Sequence, residues 1–176
     1  ARIGADSRLA GLLPFTNVVR FAQGEPDDSG RFQIKRPVDM TFGSDGALYG
    51  TAYSGGTSSA GTVFRVNKDG SGFTVLRNLN YSTDGGYPLA GLTEGSDGAL
   101  YGTTSVASTT TGGLIYRAEV DGTAIVTLHQ LTITEGYSPV GGLILGSDGR
   151  LYGTTSIGAL TEANTAHEYD ATISGW

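Results

Sequence analysis

Histidine next to a carboxylate is the pairing in this sequence that could carry out acid–base chemistry near neutral pH. His167 is followed by Glu168, and such a pair can exchange protons with a substrate. The alternative is an exposed strand with a changed charge, because Glu168 falls where the preceding repeats carry Arg65 and Arg117. We favour this alternative.

The remaining candidates for catalysis or metal binding are weaker. His129 replaces Arg77 of the preceding repeat, and no second histidine follows at the spacing of a zinc-binding helix. No serine lies in a nucleophile elbow, and the glycine-rich stretches join strands, so they offer a phosphate no helix N-terminus. We therefore expect no catalytic residue, no cofactor and no metal site.

Oxygen-rich turns offer a possible cation site. Residues 67–71, Asn-Lys-Asp-Gly-Ser, resemble the start of a calcium loop, but the alternating oxygen ligands stop short. We favour a hairpin turn here. The Ser-Asp-Gly turns at 44–46, 96–98 and 147–149 receive the same interpretation, with weak cation binding as the alternative.

Basic side chains cluster once in the sequence, beside acidic ones. The members of this group are Arg31, Lys35, Arg36, Glu25, Asp27 and Asp28. We favour a solvated loop, and the alternative is a docking surface. Residues 80–82, Asn-Tyr-Ser, form a glycosylation sequon that matters only in a eukaryotic source.

The elements that must position these residues recur along the chain. The sequence GSDGALYGT occupies residues 43–51 and again 95–103, and a third copy at 146–154 has Arg150 in place of alanine. The aspartates at 45, 97 and 148 give a period of 52 and then 51 residues. A period of this length indicates propeller blades or a solenoid.

Each repeat predicts antiparallel strands of alternating or β-branched residues, joined by Asp-Gly turns. The predicted strands span 37–42, 47–53, 61–67 and 73–79; then 88–94, 99–105, 113–119 and 124–131; then 140–145, 150–156 and 165–170. Pro37, Pro88 and Pro139 are predicted to open the three units, since proline is tolerated at the first residue of a strand. Hairpin turns oppose the parallel pairing of a solenoid.

The sequence therefore predicts an all-β fold of propeller-type blades, each with four antiparallel strands. Residues 1–176 form one domain, with repeats at about 37–87, 88–138 and 139–176. The third repeat has little room for a fourth strand, and residues 15–21 resemble one. A further alternative is a degenerate blade within residues 1–36, where 4–11 echo 146–153.

Blade number leads to a prediction about assembly. Three blades are fewer than the ~4–8 of known propellers, and open strand edges favour further pairing. We expect the ring to be completed by a second copy, a partner or further sequence.

Composition excludes some classes of partner. The net charge of −6 argues against nucleic acid, which requires a basic face. No apolar run approaches the ~20 residues of a membrane span. The chain has no cysteine and only two lysines among many Ser, Thr and Gly residues, a composition typical of extracellular or periplasmic proteins.

The segments PLAGLTEGSDGALYGTT (88–104) and GTVFRVNKDGSGFTVL (61–76) resemble the GloVer tandem repeat of bacterial "choice-of-anchor" surface proteins. The similarity extends over about residues 15–176. It implies a propeller-like β fold, a bacterial origin and export, and it transfers no catalytic residue. The chain departs from that family in having few repeats and no C-terminal anchor segment.

We therefore expect an exported, non-enzymatic propeller protein that binds protein or carbohydrate or takes part in assembly. One alternative is a propeller hydrolase or lyase that acts on polysaccharide at the ring axis. Another is an accessory subunit of a larger extracellular complex.

Overall fold

The computed structural model describes residues 33–107, 112–132 and 136–157. Within these segments the chain forms strands and turns and no helix, so the predicted all-β fold is confirmed. No helix in this part of the chain has the length and apolar character needed to cross a membrane. The strands predicted at 15–21 and 165–170 lie outside the described residues.

The first two repeats each form one antiparallel sheet of four strands in sequential order. We call the sheet of each repeat a blade. The first blade contains β1 (Lys35–Phe42), β2 (Ala47–Ser54), β3 (Thr62–Asn67) and β4 (Thr74–Asn78). The second contains β5 (Thr93–Glu94), β6 (Leu100–Thr104), β7 (Leu114–Ala118) and β8 (Ile125–Gln130).

The described part of the third blade consists of two short strand pairs. They involve β9 (Tyr137–Pro139), β10 (Ile144–Leu145), β11 (Leu151–Tyr152) and β12 (Thr155–Ile157). β10 pairs with β11, and β9 pairs with β12. The single strand predicted over 150–156 is therefore wrong, because Gly153 and Thr154 separate β11 from β12.

The first strand of the second and third repeats also differs from the prediction. Continuous strands over 88–94 and 140–145 were expected, but β5 and β10 are two residues each. The interval from proline to turn glycine is one residue longer at 88–95 and 139–146 than at 37–43. In β1, an extra residue is accommodated as a register shift between Pro37 and Asp39, and the strand continues. The longer segments of the second and third repeats stop pairing with the neighbouring strand instead.

The three prolines do not open the strands, which corrects the prediction. Pro37 is the third residue of β1, Pro139 ends β9, and Pro88 lies outside the strands. In every repeat, pairing begins two residues before the proline. The first pairs are Lys35 with Ser54, Gly86 with Val106, and Tyr137 with Ile157.

The Asp-Gly turns form as predicted. Gly46 takes a φ of 78°, Gly98 of 76° and Gly149 of 81°, a left-handed conformation that glycine adopts without strain. The amide of each of these glycines donates to the carbonyl three residues earlier. These turns fix the register of the first two strands in each repeat.

Two of the three hydrophobic clusters lie between blades, and the third, with Ile34, Ala52 and Phe64, belongs to the first blade alone. The core between the first and second blades includes Ala47, Tyr49, Val63, Leu79, Leu92 and Leu100. The core between the second and third consists of the positions 51 or 52 residues later: Ala99, Tyr101, Ile115, Leu131, Leu143 and Leu151. Since the same positions meet in both cores, each blade packs on the next through the same faces.

Hydrogen bonds reinforce this stacking along the first strands. Thr51 donates its hydroxyl to the carbonyl of Ala90 at 2.8 Å. Ser44 donates its amide and hydroxyl to the Glu94 carboxylate at 2.7 and 2.6 Å. Thr93 donates to the carbonyl of Leu143. Hydrogen bonds therefore join each blade to the following one, but different pairs make them at the two junctions.

Candidate functional site

A carboxylate, a phenol and a guanidinium meet at the turn of the first blade. Asp45 accepts hydrogen bonds from the Ala47 amide and the Tyr49 hydroxyl, both at 2.9 Å, and Arg65 lies 3.3 Å away. The Ala47 amide, together with Tyr49 and Arg65, holds the pKa of Asp45 below its usual value. Burial raises the pKa of Tyr49.

The second blade repeats the arrangement. Asp97 accepts from the Ala99 amide at 3.2 Å, from Tyr101 at 2.9 Å and from Arg117 at 3.0 Å. Burial opposes ionisation of Asp97, but these three donors together lower its pKa. Arg117 also pairs with Glu119.

The third blade keeps the carboxylate and the phenol but changes the cation. Tyr152 donates to Asp148 at 2.8 Å, and the guanidinium of Arg150 lies 3.9 Å from the same carboxylate. The Tyr152 hydroxyl and the Arg150 amide lower the pKa of Asp148. The aspartate–tyrosine pair therefore recurs in all three blades and holds each turn against its sheet.

The predicted turn sites form hydrogen-bonded hairpins. Asp69 accepts from the amide and hydroxyl of Ser71 at 2.9 and 2.6 Å, and Asp121 accepts in the same way from Thr123. Across the described segments, no three His, Asp or Glu side chains come together as a metal ion would require.

The other predicted candidates are dispersed. His129 lies on β8, the last strand of the second blade. Lys35 and Arg36 are the first two residues of β1, so the prediction that they lie in a loop is wrong. His167 and Glu168, together with Arg31 and the acidic residues at 25–28, lie outside the described residues.

A cleft of about 360 Å³ opens where the irregular first-strand segments of the three blades converge. Its lining consists of Val38 and Asp39, residues 89–93, and Val140, Gly142 and Leu143. Asp39 is the sole charged side chain in this lining, and its carboxylate accepts the amide of Met40 at 2.8 Å. Most of the lining side chains are apolar, but the surface that the cleft exposes is mainly polar.

An aromatic cluster lies at the opposite end of the first blade from the Asp-Gly turn. The rings of Tyr53 and Tyr87 stack with centroids 4.7 Å apart, and Tyr81 meets Tyr87 edge-on at 5.2 Å. The guanidinium of Arg36 lies 4.3 Å from the centre of the Tyr53 ring. We call these four side chains the tyrosine–arginine cluster.

A partly buried ion pair organises the loop that carries two of these rings. Arg77 donates from two nitrogens to the two Asp84 oxygens at 3.0 and 2.8 Å, and Asp84 also accepts the Asn80 amide at 3.2 Å. Asp84 is only 6% exposed. The pair closes residues 77–84 and so positions Tyr81 and Tyr87.

The sequence comparisons agree with this repeated architecture. The family model described as the Gloeobacter/Verrucomicrobia repeat matches residues 25–175, which is most of the chain. The chain belongs to this family. Comparison with curated proteins returns no match.

The tyrosine–arginine cluster is the feature that sequence reasoning missed in this member of the Gloeobacter/Verrucomicrobia repeat family. A signal was present, because the cluster breaks the repeat. Tyr53 corresponds to Ser105 and Ser156, and Tyr87 corresponds to Arg36 and Ser138. Where the repeats differ in residue type, the packing shared by every blade does not determine the side chain.

Proposed function

We propose that this chain is an exported, non-catalytic β-propeller module that binds protein or carbohydrate and assembles through further blades. The repetition of one interface, with the same positions in both cores, carries the proposal. On the first blade, Leu48, Phe64 and Val66 are already buried, so a further partner would contact the exposed apolar residues beside the Asp-Gly turns.

The side chains with shifted pKa values support a non-catalytic role. Asp45, Asp97 and Asp148 are each paired with a tyrosine of their own blade, as a structural network requires. Hydrolysis of a glycosidic bond normally needs two carboxyl groups, about 5–9.5 Å apart. The described lining of the cleft contains one, Asp39, so its geometry favours binding over polysaccharide hydrolysis.

Two apolar side chains indicate where assembly takes place. In the second blade, Glu94 accepts hydrogen bonds from the preceding blade, and Thr93 donates to the following one. The counterpart of Glu94 in the first blade is Phe42, which is 66% exposed. The counterpart of Thr93 in the third blade is Ile144, which is 69% exposed.

The interior positions are thus polar and satisfied, whereas the outer two are apolar and open to solvent. We assign Phe42 to a contact with a preceding blade and Ile144 to a contact with a following one. Both contacts form if two copies join so that the first blade of each packs on the third blade of the other. An accessory subunit of a different protein could supply the same two faces.

Replacing both side chains with their interior counterparts tests the assembly. Phe42→Glu and Ile144→Thr introduce residues that the second blade already accommodates, so the fold is retained. Burial of each apolar side chain contributes about 1.5–3 kcal/mol, so each replacement should weaken association about tenfold or more. Sedimentation equilibrium should give twice 18.1 kDa for the original chain and 18.1 kDa for the double variant.

Val126 supplies the matched control. It is also an exposed apolar residue, but it belongs to the second blade, which already packs against a blade on each side. Val126→Thr should leave the mass unchanged. Equal masses for the original chain and the double variant would contradict the assignment of these two contacts.

The proposal that the protein is exported is supported by its composition and by the family resemblance. The chain has two lysines and no cysteine, and its surface charge is acidic. These features suit a protein that works outside the cytoplasm, where carbohydrate and surface proteins are the available partners.

A further inference from the structure

Two rings of the tyrosine–arginine cluster are not shared by every blade, whereas the third, Tyr81, also packs against the core between the first and second blades. Where the first blade has Tyr53, the second and third have serine, and where the second has Tyr87, the third has Ser138. All three tyrosines remain partly exposed. Partly exposed tyrosines combine an apolar ring surface with a polar rim, which is the combination that amphipathic ligands contact.

The backbone around the cluster is firmly held. The Tyr87 amide donates to Ala60 of the first blade at 2.8 Å, and its carbonyl accepts the Ser105 hydroxyl of the second at 2.7 Å. Arg36 and Tyr87 both have a φ of 55°, and Ser138 has a φ of 57°. Because this unusual conformation recurs before each proline, the fold itself sets the direction of residue 36.

Arg36 brings a positive charge to a protein whose net charge is −6. Its side chain is exposed, rests over Tyr53 and makes no ion pair with any carboxylate in the described segments. Guanidinium presents a planar fork of donors that matches a carboxylate in bidentate geometry.

We propose that Arg36, Tyr53, Tyr81 and Tyr87 form a subsite for a uronate unit of an acidic polysaccharide. The carboxylate of the sugar binds the guanidinium of Arg36, and its hydroxyl groups contact the exposed polar rims of the tyrosine rings. This inference rests on the binding role proposed above and names the ligand class that the role would serve.

A pair of probes that differ only in the carboxylate tests the subsite. Calorimetric titration with tetragalacturonate should show binding, and a neutral galactose tetrasaccharide should bind at least about tenfold more weakly, since the charge-assisted contact is lost. Arg36→Ser should abolish this difference. Tyr53→Ser, which installs the residue of the other two blades, should weaken binding of the acidic probe about tenfold.

Lys68→Ser is the charge-matched control, since Lys68 is exposed in the turn between β3 and β4. It should leave the affinity for tetragalacturonate unchanged. The inference is overturned if the original chain does not bind tetragalacturonate, if both probes bind equally, or if the Lys68 and Arg36 variants lose the same affinity.

Sedimentation of the same samples separates this inference from the assembly proposal. An assembled chain that ignores tetragalacturonate would overturn the uronate subsite alone. A monomeric chain that binds tetragalacturonate would support the subsite and contradict the proposed assembly.

Discussion

Tyr116 buries its hydroxyl between the first and second blades without a hydrogen-bond partner. Burial alone raises the pKa of this phenol. The same position in the first blade is Phe64, which faces Gly50 as Tyr116 faces Gly102. The position therefore accepts a ring of the same shape without the oxygen.

Tyr116→Phe is expected to stabilise the protein. Removal of a buried, unpaired hydroxyl should raise the free energy of unfolding by about 1–2 kcal/mol. Urea denaturation measures the change. Tyr101→Phe is the control, because it removes a hydroxyl that does bond to Asp97, and it should lower stability by about 1 kcal/mol. A loss of stability in Tyr116→Phe would contradict the account.

Acid stability follows from the three turn aspartates. Their pKa values are lowered from 3.8 by the turn amides, the tyrosines and neighbouring arginines. A lowered folded-state pKa adds stability that is complete above 3.8 and is lost as the pH falls through the folded values. The urea midpoint should be constant above about pH 5 and decrease below about pH 4.

Asp45→Asn with Asp97→Asn gives the control for this prediction. The double variant should be less stable at neutral pH, and its urea midpoint should depend less on pH below about pH 4. An unchanged acid dependence in the double variant would assign the effect to other carboxylates.

Among the elements, the loop after β4 depends on one ion pair. Arg77→Ala would leave the Asp84 carboxylate buried without its guanidinium, at a cost of about 2 kcal/mol. Thermal denaturation and amide exchange over residues 79–87 measure the effect, and faster exchange should be confined to that loop. Arg77→Glu should be worse than Arg77→Ala because it adds repulsion, and equal exchange in all three proteins would contradict this role.

The strands and turns were largely predictable because local signals determine them. β2, β3 and β4 begin and end within about a residue of the alternating patterns, and Asp-Gly marks the turns. The breaks around β5 and β10 were not anticipated. One extra residue between proline and glycine was visible in the sequence, but whether a strand absorbs it as a bulge or leaves the ladder depends on the adjoining blade.

The site was less predictable than the elements. The tyrosine–arginine cluster joins residues 36, 53, 81 and 87, which are distant in sequence and meet only when two blades stack. Periodicity draws attention to what every repeat shares, which here is the structural Asp–Tyr network. Comparing the repeats for tyrosines that one repeat has and the others lack would have pointed to the cluster.

At the scale of the whole molecule, one blade-to-blade interface repeats, and we propose that it continues into another copy. Residues in both described cores are related by the same 51- or 52-residue offset, as expected for blades arranged around an axis. The exposed Phe42 and Ile144 belong to the first and the third of the described blades.

A crystal structure of the assembled protein tests this claim most directly. The account predicts two copies around one axis, with Phe42 of each copy against the third blade of the other and blade-to-blade spacing constant around the ring. A structure in which Phe42 and Ile144 both remain in solvent, with the first and third blades contacting no other blade, would contradict it.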